Sequence, residues 1–267
     1  FSRGGDYVAS CGADRVVRVF EPEANMAQRY YSSPPLPGIV TSVMFHPGGN
    51  LVVSGCDDGG VRLHEIAQPK ISTLGTFGAP ARRPEFSKDG KLVVAASGEK
   101  TDNDILGTAR VWFIGSKTDG GPKEMLKMAH AAPVTQATFR PVEDENGYVI
   151  ITCATNGQVR WLHLAHEAYK LAAIADTEGL PLKETHLGAA LWASWSADGH
   201  WLATAGGGEV IIWEEERTIS PPKARLRLTG LDPATSRCEF SPDGKTLATY
   251  GGDNFVYLWD ISQLPQR

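Results

Sequence analysis

Cysteine is scarce in this sequence of 267 residues, and only Cys11, Cys56, Cys153 and Cys238 are present. No two of them form a C-x-x-C pair, and the close ligand spacing of a structural zinc site is absent. We therefore predict no metal site and expect the cysteines to be buried free thiols. Such thiols are typical of a reducing intracellular compartment, which is the location that the sequence favours.

Positive charge and long apolar runs are also lacking. The formal net charge is -5, so no global electrostatic field attracts nucleic acid or an anionic membrane. A membrane-spanning helix needs about 20 consecutive apolar residues, and the chain has no such run. We therefore predict neither a nucleic-acid partner nor a membrane partner.

Motifs for catalysis are missing as well. The sequence contains neither a G-x-S-x-G nucleophile elbow nor a G-x-x-x-x-G-K-[ST] phosphate loop. The run Gly206, Gly207 and Gly208 fits a turn between strands, because no helix follows it. We predict that the chain is not an enzyme and has no catalytic residue and no cofactor.

Two short polar clusters were weighed as metal sites. His163 and His166 are followed by Glu167, but further converging ligands are lacking, so a strand end and a solvated loop are favoured. The run Asp102-Asn103-Asp104 lacks the glycine and the distal glutamate of a calcium loop. It is expected to extend a hairpin, where it protrudes and could contact a partner.

Turn-forming residues are abundant, with 29 Gly and 17 Pro, as in a chain of many short strands. The clearest unit is CEFSPDGKTLATYGGDNFVYLWDI, which begins at Cys238 and ends at Ile261. Its Pro-Asp-Gly turn and its Gly-Gly-Asp-Asn hairpin separate three short strands, the last of which ends in Trp259-Asp260.

Equivalent positions recur along the whole chain. The residues aligned with Trp259 are Phe20, His64, Trp112, Leu162 and Trp213, and the successive separations are 44, 48, 50, 51 and 46 residues. The turn before the middle strand recurs in most repeats as a Gly-Gly or Asp-Gly pair. The chain resembles the WD-repeat (WD40) family, whose repeats of about 40 to 45 residues close on Trp-Asp.

The resemblance implies an all-β fold, a β-propeller of WD40-type four-stranded antiparallel blades. About six blades are visible, and the full-length protein could have seven. We expect a single domain, 1–267, with repeats at about 1–22, 27–66, 71–114, 123–164, 180–216 and 224–263. The third strands are predicted at 16–20, 61–65, 109–112, 159–163, 209–213 and 255–259. Inner strands should be apolar on both faces, because each blade packs between two others.

Residues of the WD40 hydrogen-bonded chain, His, Ser or Thr, Asp and Trp, are incomplete in every repeat. Repeat five has His186, Thr204 and Trp213 but no hairpin Asp, and repeat six has Thr249, Asp253 and Trp259 but no His. Apolar packing must therefore stabilise each blade more than in an ideal repeat. We predict that Trp213 and Trp259 are core residues.

The resemblance implies a scaffold that binds protein or peptide partners on the face formed by inter-blade loops and hairpins. We predict partner contacts at Asp57, Arg82, Arg83, Trp192, Asp232 and Arg237. Arg82 and Arg83 could bind a carboxylate or phosphate, or pair with Asp57 or Asp58. Trp192 could pack or anchor a partner. The loops at 115–122 and 165–179 are the alternative binding surface.

Two other functions were considered. A hydrolase-like propeller would need converging acids or histidines where the inner strands begin, and those positions hold Thr41, Arg82, Thr135, Leu191 and Ser236. A sensor or regulatory propeller fused to a catalytic domain outside this chain remains an alternative. In the resembled family, one blade takes strands from both ends of the chain. We accordingly expect an N-terminal extension of at least about 15 to 20 residues, or a whole further repeat.

Overall fold

The computed structural model describes residues 1–22, 29–68, 70–100, 105–115, 121–142, 147–165, 175–177, 179–216 and 220–264. The described residues form strands and turns and no helix, so none of them provides a helix that could cross a membrane. Six antiparallel sheets follow one another along the chain, as in WD40 blades, and we number them 1 to 6. They fall into two compact units, which are described separately.

The first unit comprises 1–131 and 169–177 and contains sheets 1 to 3. Sheet 1 has β1 (Val8–Ser10), β2 (Arg18–Phe20) and β3 (Arg29–Ser32). Sheet 2 has β4 (Val40–Phe45), β5 (Leu51–Cys56), β6 (Gly60–Glu65) and β7 (Lys70–Thr76). Sheet 3 has β8 (Arg82–Phe86), β9 (Leu92–Lys100), β10 (Ile105–Phe113), β11 (Lys123–His130) and β15 (Ala175–Thr177). Each consecutive pair within β1 to β3, β4 to β7 and β8 to β11 is antiparallel.

Sheet 2 is covered on both faces. One face packs on sheet 1, where Val19 and Tyr31 meet Val52 and Cys56. The other face packs on sheet 3 in a second cluster, in which Val53 and Leu63 lie with Phe86 and Trp112. This double coverage explains why nearly every residue of β5 and β6 is buried, as predicted for an inner strand with apolar residues on both sides.

The second unit comprises 132–168 and 178–267 and contains sheets 4 to 6. Sheet 4 has β12 (Val134–Phe139), β13 (Tyr148–Ala154), β14 (Val159–Leu164) and β16 (Leu180–Pro181); sheet 5 has β17 (Trp192–Trp195), β18 (Trp201–Gly206), β19 (Glu209–Glu214) and β20 (Lys223–Leu228); sheet 6 has β21 (Arg237–Phe240), β22 (Thr246–Tyr250) and β23 (Val256–Asp260). Here sheet 5 is the doubly covered one. Ile211 and Trp213 pack towards sheet 4, whereas Val210 and Ile212 pack towards sheet 6.

The six predicted third strands are confirmed, as β2, β6, β10, β14, β19 and β23, with shifts at their ends. The loop at 165–179, predicted as an alternative binding surface, contains the strand β15. This strand pairs in parallel with β11, an addition that the repeat pattern did not predict. Residues 166–174 lie outside the described part of the chain, as do the Asp102-Asn103-Asp104 run, His166 and most of the loop at 115–122.

Sheet 6 ends at β23, and among the described residues no further strand pairs with β23. Val256 and Leu258 are therefore 65% and 71% exposed. Trp259 is only partly buried at the margin of its cluster, whereas Trp213 is 1% exposed. The prediction of a core residue is thus confirmed for Trp213 and wrong for Trp259, because no strand of the described residues pairs beyond β23 to cover Trp259.

Candidate functional site

Buried polar side chains within the sheets bind one another and the backbone, so they are structural groups. In sheet 5, Trp213 Nε1 donates to Thr204 Oγ1 at 2.9 Å, and His186 Nε2 lies 2.9 Å from the same oxygen. His186 Nδ1 lies 3.2 Å from the carbonyl oxygen of Gly206, so it donates there. Burial lowers the pKa of His186, which favours this neutral, fully bonded ring.

Glu209 occupies the place of the hairpin Asp that repeat five lacks. Its Oε1 lies 3.3 Å from His186 Nδ1 and accepts from the backbone N–H of Leu187 at 2.9 Å. Its Oε2 accepts from Arg227 Nη1 at 2.6 Å, so the buried charge is paired. Repeat five therefore does have an acidic residue in its hydrogen-bonded network, and this residue follows the three-glycine turn. The repeat alignment did not reveal it, because the acid is a Glu at a shifted position.

Sheet 2 uses a different set of residues. His64, at the Trp position, lies 2.8 Å from Ser54 Oγ through Nε2 and 3.0 Å from Tyr31 OH through Nδ1. The ring is 0% exposed, and this burial lowers the pKa of His64 to about 4. Burial likewise raises the pKa of Tyr31 to about 12, so both groups are neutral near pH 7. This network joins sheets 1 and 2.

We expect His64 to make the protein acid-sensitive. Its pKa in the folded state lies below the usual value of 6.5, so the unfolded chain binds the extra proton first. Stability should therefore fall as the pH drops from about 6.5 towards 4, by roughly 3 kcal/mol from this residue. The measurement is urea unfolding between pH 7.5 and 4.5 for the parent and for His64→Asn. The variant should lose less stability on acidification; parallel curves would contradict the prediction.

Hydroxyls near the starts of two inner strands are also structural. Thr41 Oγ1 donates to the carbonyl of Gly55 at 3.1 Å in the first unit. In the second unit, Thr135 Oγ1 donates to the carbonyl oxygen of Cys153 at 3.0 Å and lies 2.6 Å from the carbonyl oxygen of Ala190. These groups hold neighbouring backbone segments in place. Within the described ranges, no group of three or more His, Cys, Asp or Glu side chains could hold a metal ion.

Three of the predicted partner residues lie in the first unit. Asp57 Oδ1 accepts from the backbone N–H of Ile39 at 2.7 Å, so this acid fixes the turn after β5. Asp58 pairs with Arg62, whose Nη1 is 3.0 Å from Oδ1. Arg82 and Arg83 are both exposed at the start of β8.

Backbone geometry distinguishes the two arginines. Arg83 has φ 41°, in the left-handed region that side-chain-bearing residues seldom adopt. The register between β8 and β9 shifts between Arg82 and Glu85, which marks a bulge. Strained residues and bulges often occur where a side chain must be aimed at a ligand.

The other three predicted residues lie in the second unit. The guanidinium of Arg237 stacks over the ring of Trp192 at 3.9 Å from its centroid, a cation–π contact between the first residues of β17 and β21. Trp192 is 8% exposed, so it packs in the core and supports Arg237. Asp232 Oδ1 accepts from Ala234 N–H at 2.7 Å and shapes the turn before β21.

A further residue at this end of sheet 5 was missed by the sequence reasoning. Leu187 is 87% exposed, although its backbone N–H is bound to the buried Glu209. The neighbouring turn between β18 and β19 contains no side chains: Gly207 has φ 60°, and a Cβ on Gly188 would lie 3.1 Å from Gly207 Cα. Leu187 therefore projects beside a turn that has no side chains. An isolated Leu in a loop gives no sequence signal for such exposure.

The repeat pattern was compared with known families once this geometry was established. The family model described as WD domain, G-beta repeat matches residues 1–21, 32–65, 181–214 and 228–260. This chain carries WD40 repeats. The matched segments contain β1 and β2, all of β4 to β6, all of β17 to β19 and all of β21 to β23. The WD40 repeats of sheets 5 and 6 thus include Trp192 and Arg237.

One curated relative is target of rapamycin complex subunit wat1 of Schizosaccharomyces pombe (strain 972 / ATCC 24843). The two sequences are 23% identical over 210 residues, which covers 76% of this chain. The match covers 59% of the relative, so the chain spans a little over half of its length.

Proposed function

We propose that this WD40-repeat chain is a non-catalytic scaffold that docks protein or peptide partners. The docking end of each sheet is the one that carries the turn between its second and third strands. The docking surface in the second unit consists of Leu187, Asp232 and Arg237, with Trp192 beneath Arg237. A second docking surface, in the first unit, consists of Asp57, Arg82 and Arg83. The name of the wat1 relative supports work within an assembly.

The observation that carries this proposal is Leu187. An aliphatic side chain that is 87% exposed contributes little to the core of its own sheet, but a partner can bury it. Because Glu209 fixes its backbone, docking loses little conformational freedom there. Arg237, stacked on a buried ring, adds a positioned cation for an acidic or carbonyl group.

We expect a photo-crosslinker placed at Leu187 to capture partners from the cells that produce the protein. The same crosslinker at Lys245, exposed in the turn before β22 at the opposite end of sheet 6, is the matched control. Captured proteins would be purified and titrated against the parent, Leu187→Ser, Arg237→Glu and the Arg82→Glu, Arg83→Glu double variant. Replacement of an anchor should weaken binding by about tenfold or more, with the melting temperature near the parent value.

Each docking surface is tested separately by this design. Equal capture at 187 and 245 would refute docking at the second unit. A partner whose affinity changes only with Arg82 and Arg83 would place the site on the first unit. Affinity unchanged by all of these variants would move the site elsewhere, with the loops at 115–122 and 165–179 as the next candidates.

A further inference from the structure

The first unit has two adjoining clefts. They lie at the end of its sheets opposite the turns that join the second and third strands. The first has a volume of about 380 Å³ and is lined mainly by Arg3, Tyr7, Tyr30, Pro47, Asn50 and Ile66. The second has a volume of about 300 Å³ and is lined mainly by Arg3, Met44, His46, Pro47, Phe86 and Lys88. Arg3 and Pro47 belong to both, so the two clefts share one wall. Clefts of these sizes fit a side chain or a short peptide segment.

Aromatic rings form one wall of the first cleft. The ring centroids of Tyr7 and Tyr30 lie 4.9 Å apart, and the ring centroid of Tyr7 lies 6.5 Å from that of Phe45. Tyr30 is 43% exposed, which leaves much of its surface available to a ligand. The Pro47-Gly48-Gly49 turn, which has little side-chain bulk, also lines this cleft. A flat ring can enter the cleft and pack on the tyrosines.

Two cations, Arg3 and Lys88, line the second cleft, and Arg3 also lines the first. Arg3 and Lys88 are both exposed, and within the described part of the chain neither forms an ion pair with an acid. Glu85, which also lines the second cleft, already engages another group. Asp6 lines the first cleft beside Arg3, so a ligand carboxylate is favoured on the Lys88 side.

His46 forms a fixed part of the second cleft. Its Nδ1 accepts from the N–H of Gly48 at 2.9 Å, and its Nε2 lies 3.2 Å from the carbonyl of Gly90, to which it donates. Its ring also meets Phe86 edge-on at 5.1 Å. Because both nitrogens are used, His46 acts as a rigid wall and leaves Arg3 and Lys88 to bind charge.

We propose that these clefts form a second peptide-binding site, which takes an aromatic side chain next to a run of carboxylates. The ring packs on Tyr7 and Tyr30 in the first cleft, and the carboxylates reach Arg3 and Lys88 along the second. This site lies at the opposite end of the sheets from the proposed docking surface of the first unit and does not depend on either docking surface.

The test uses a fluorescein-labelled, end-blocked peptide of tryptophan followed by glutamates, titrated by fluorescence polarisation. Matched peptides carry lysines in place of the glutamates or alanine in place of tryptophan. We expect the parent to prefer the acidic peptide, and Arg3→Glu with Lys88→Glu to weaken it at least tenfold while strengthening the lysine peptide. Lys245→Glu, which reverses a lysine in the equivalent type of turn of sheet 6, should leave the affinity unchanged.

The aromatic half is tested independently. Tyr30→Ser should weaken the tryptophan peptide and leave the alanine peptide unaffected, and melting temperatures should confirm that each variant is folded. Equal affinity of the parent for acidic and basic peptides would overturn the proposal. So would an effect of Lys245→Glu as large as that of Arg3→Glu with Lys88→Glu.

Discussion

Replacing Trp213 by alanine should cost about 3 to 5 kcal/mol of unfolding free energy. The indole is 1% exposed and fills the interface between sheets 4 and 5. Its removal leaves a cavity between two sheets that cannot close around it, and Thr204 Oγ1 loses the hydrogen bond from Nε1. Urea unfolding followed by tryptophan fluorescence and by circular dichroism measures the loss.

Two variants serve as controls for Trp213. Trp213→Phe keeps most of the ring volume but removes the N–H, so it should cost less than the alanine variant. Trp259→Ala removes the equivalent residue of repeat six, which makes the same bond to Thr249 at 2.9 Å but is only partly buried. Its cost should therefore be smaller. A loss under about 1 kcal/mol for Trp213→Ala would show that the sheets do not pack as described.

Replacing Glu215 by alanine should cost about 3 to 5 kcal/mol. Glu215 is 0% exposed in the second unit, and its carboxylate lies 3.5 Å from Nη1 of Arg140, whose side chain is 1% exposed. Removal of the carboxylate takes a buried counter-charge away from the guanidinium. Arg140 Nε still donates to the carbonyl of Val142 at 3.2 Å, but this neutral acceptor cannot replace the charge.

A double-mutant cycle separates the cost of a lone charge from the value of the pair. Arg140→Met combined with Glu215→Met should recover much of the stability that either single change loses, since both charges of this pair are then removed together. Both single variants and the double variant would be unfolded in urea at pH 7. Losses that simply add would show that the two side chains are not energetically coupled.

The repeat period of the sequence predicted the sheets well. Turns such as Pro242-Asp243-Gly244 restrict the backbone locally, and the apolar run at Val149–Ile151 can only be buried on both faces. These local preferences need no knowledge of the rest of the chain. The ends of strands were predicted less well, because pairing with a neighbour extends a strand, as it does β10 from 109–112 to Ile105–Phe113.

The candidate sites were predicted only in part. The sequence pointed to Arg237 and Trp192 but could not show that one stacks on the other. It proposed pairing of Arg82 or Arg83 with Asp57 or Asp58, whereas Asp58 binds Arg62 four residues away on the same hairpin. Leu187 was missed, because exposure depends on what lies above a residue in space and not on its type.

By itself, the sequence determined the WD40-type repeat, the number of visible sheets and the strand order within most of them. These properties follow from turn chemistry and from apolar patterning, which act over a few residues. Tertiary structure alone decided that Glu209 completes the hydrogen-bonded network of repeat five. It likewise decided that Tyr31 of sheet 1 binds His64 of sheet 2. It also decided that Trp259 stays partly exposed while Trp213 is buried. Each of these outcomes depends on contacts between separate segments, and a buried polar group takes whichever partner the packing brings within hydrogen-bonding distance.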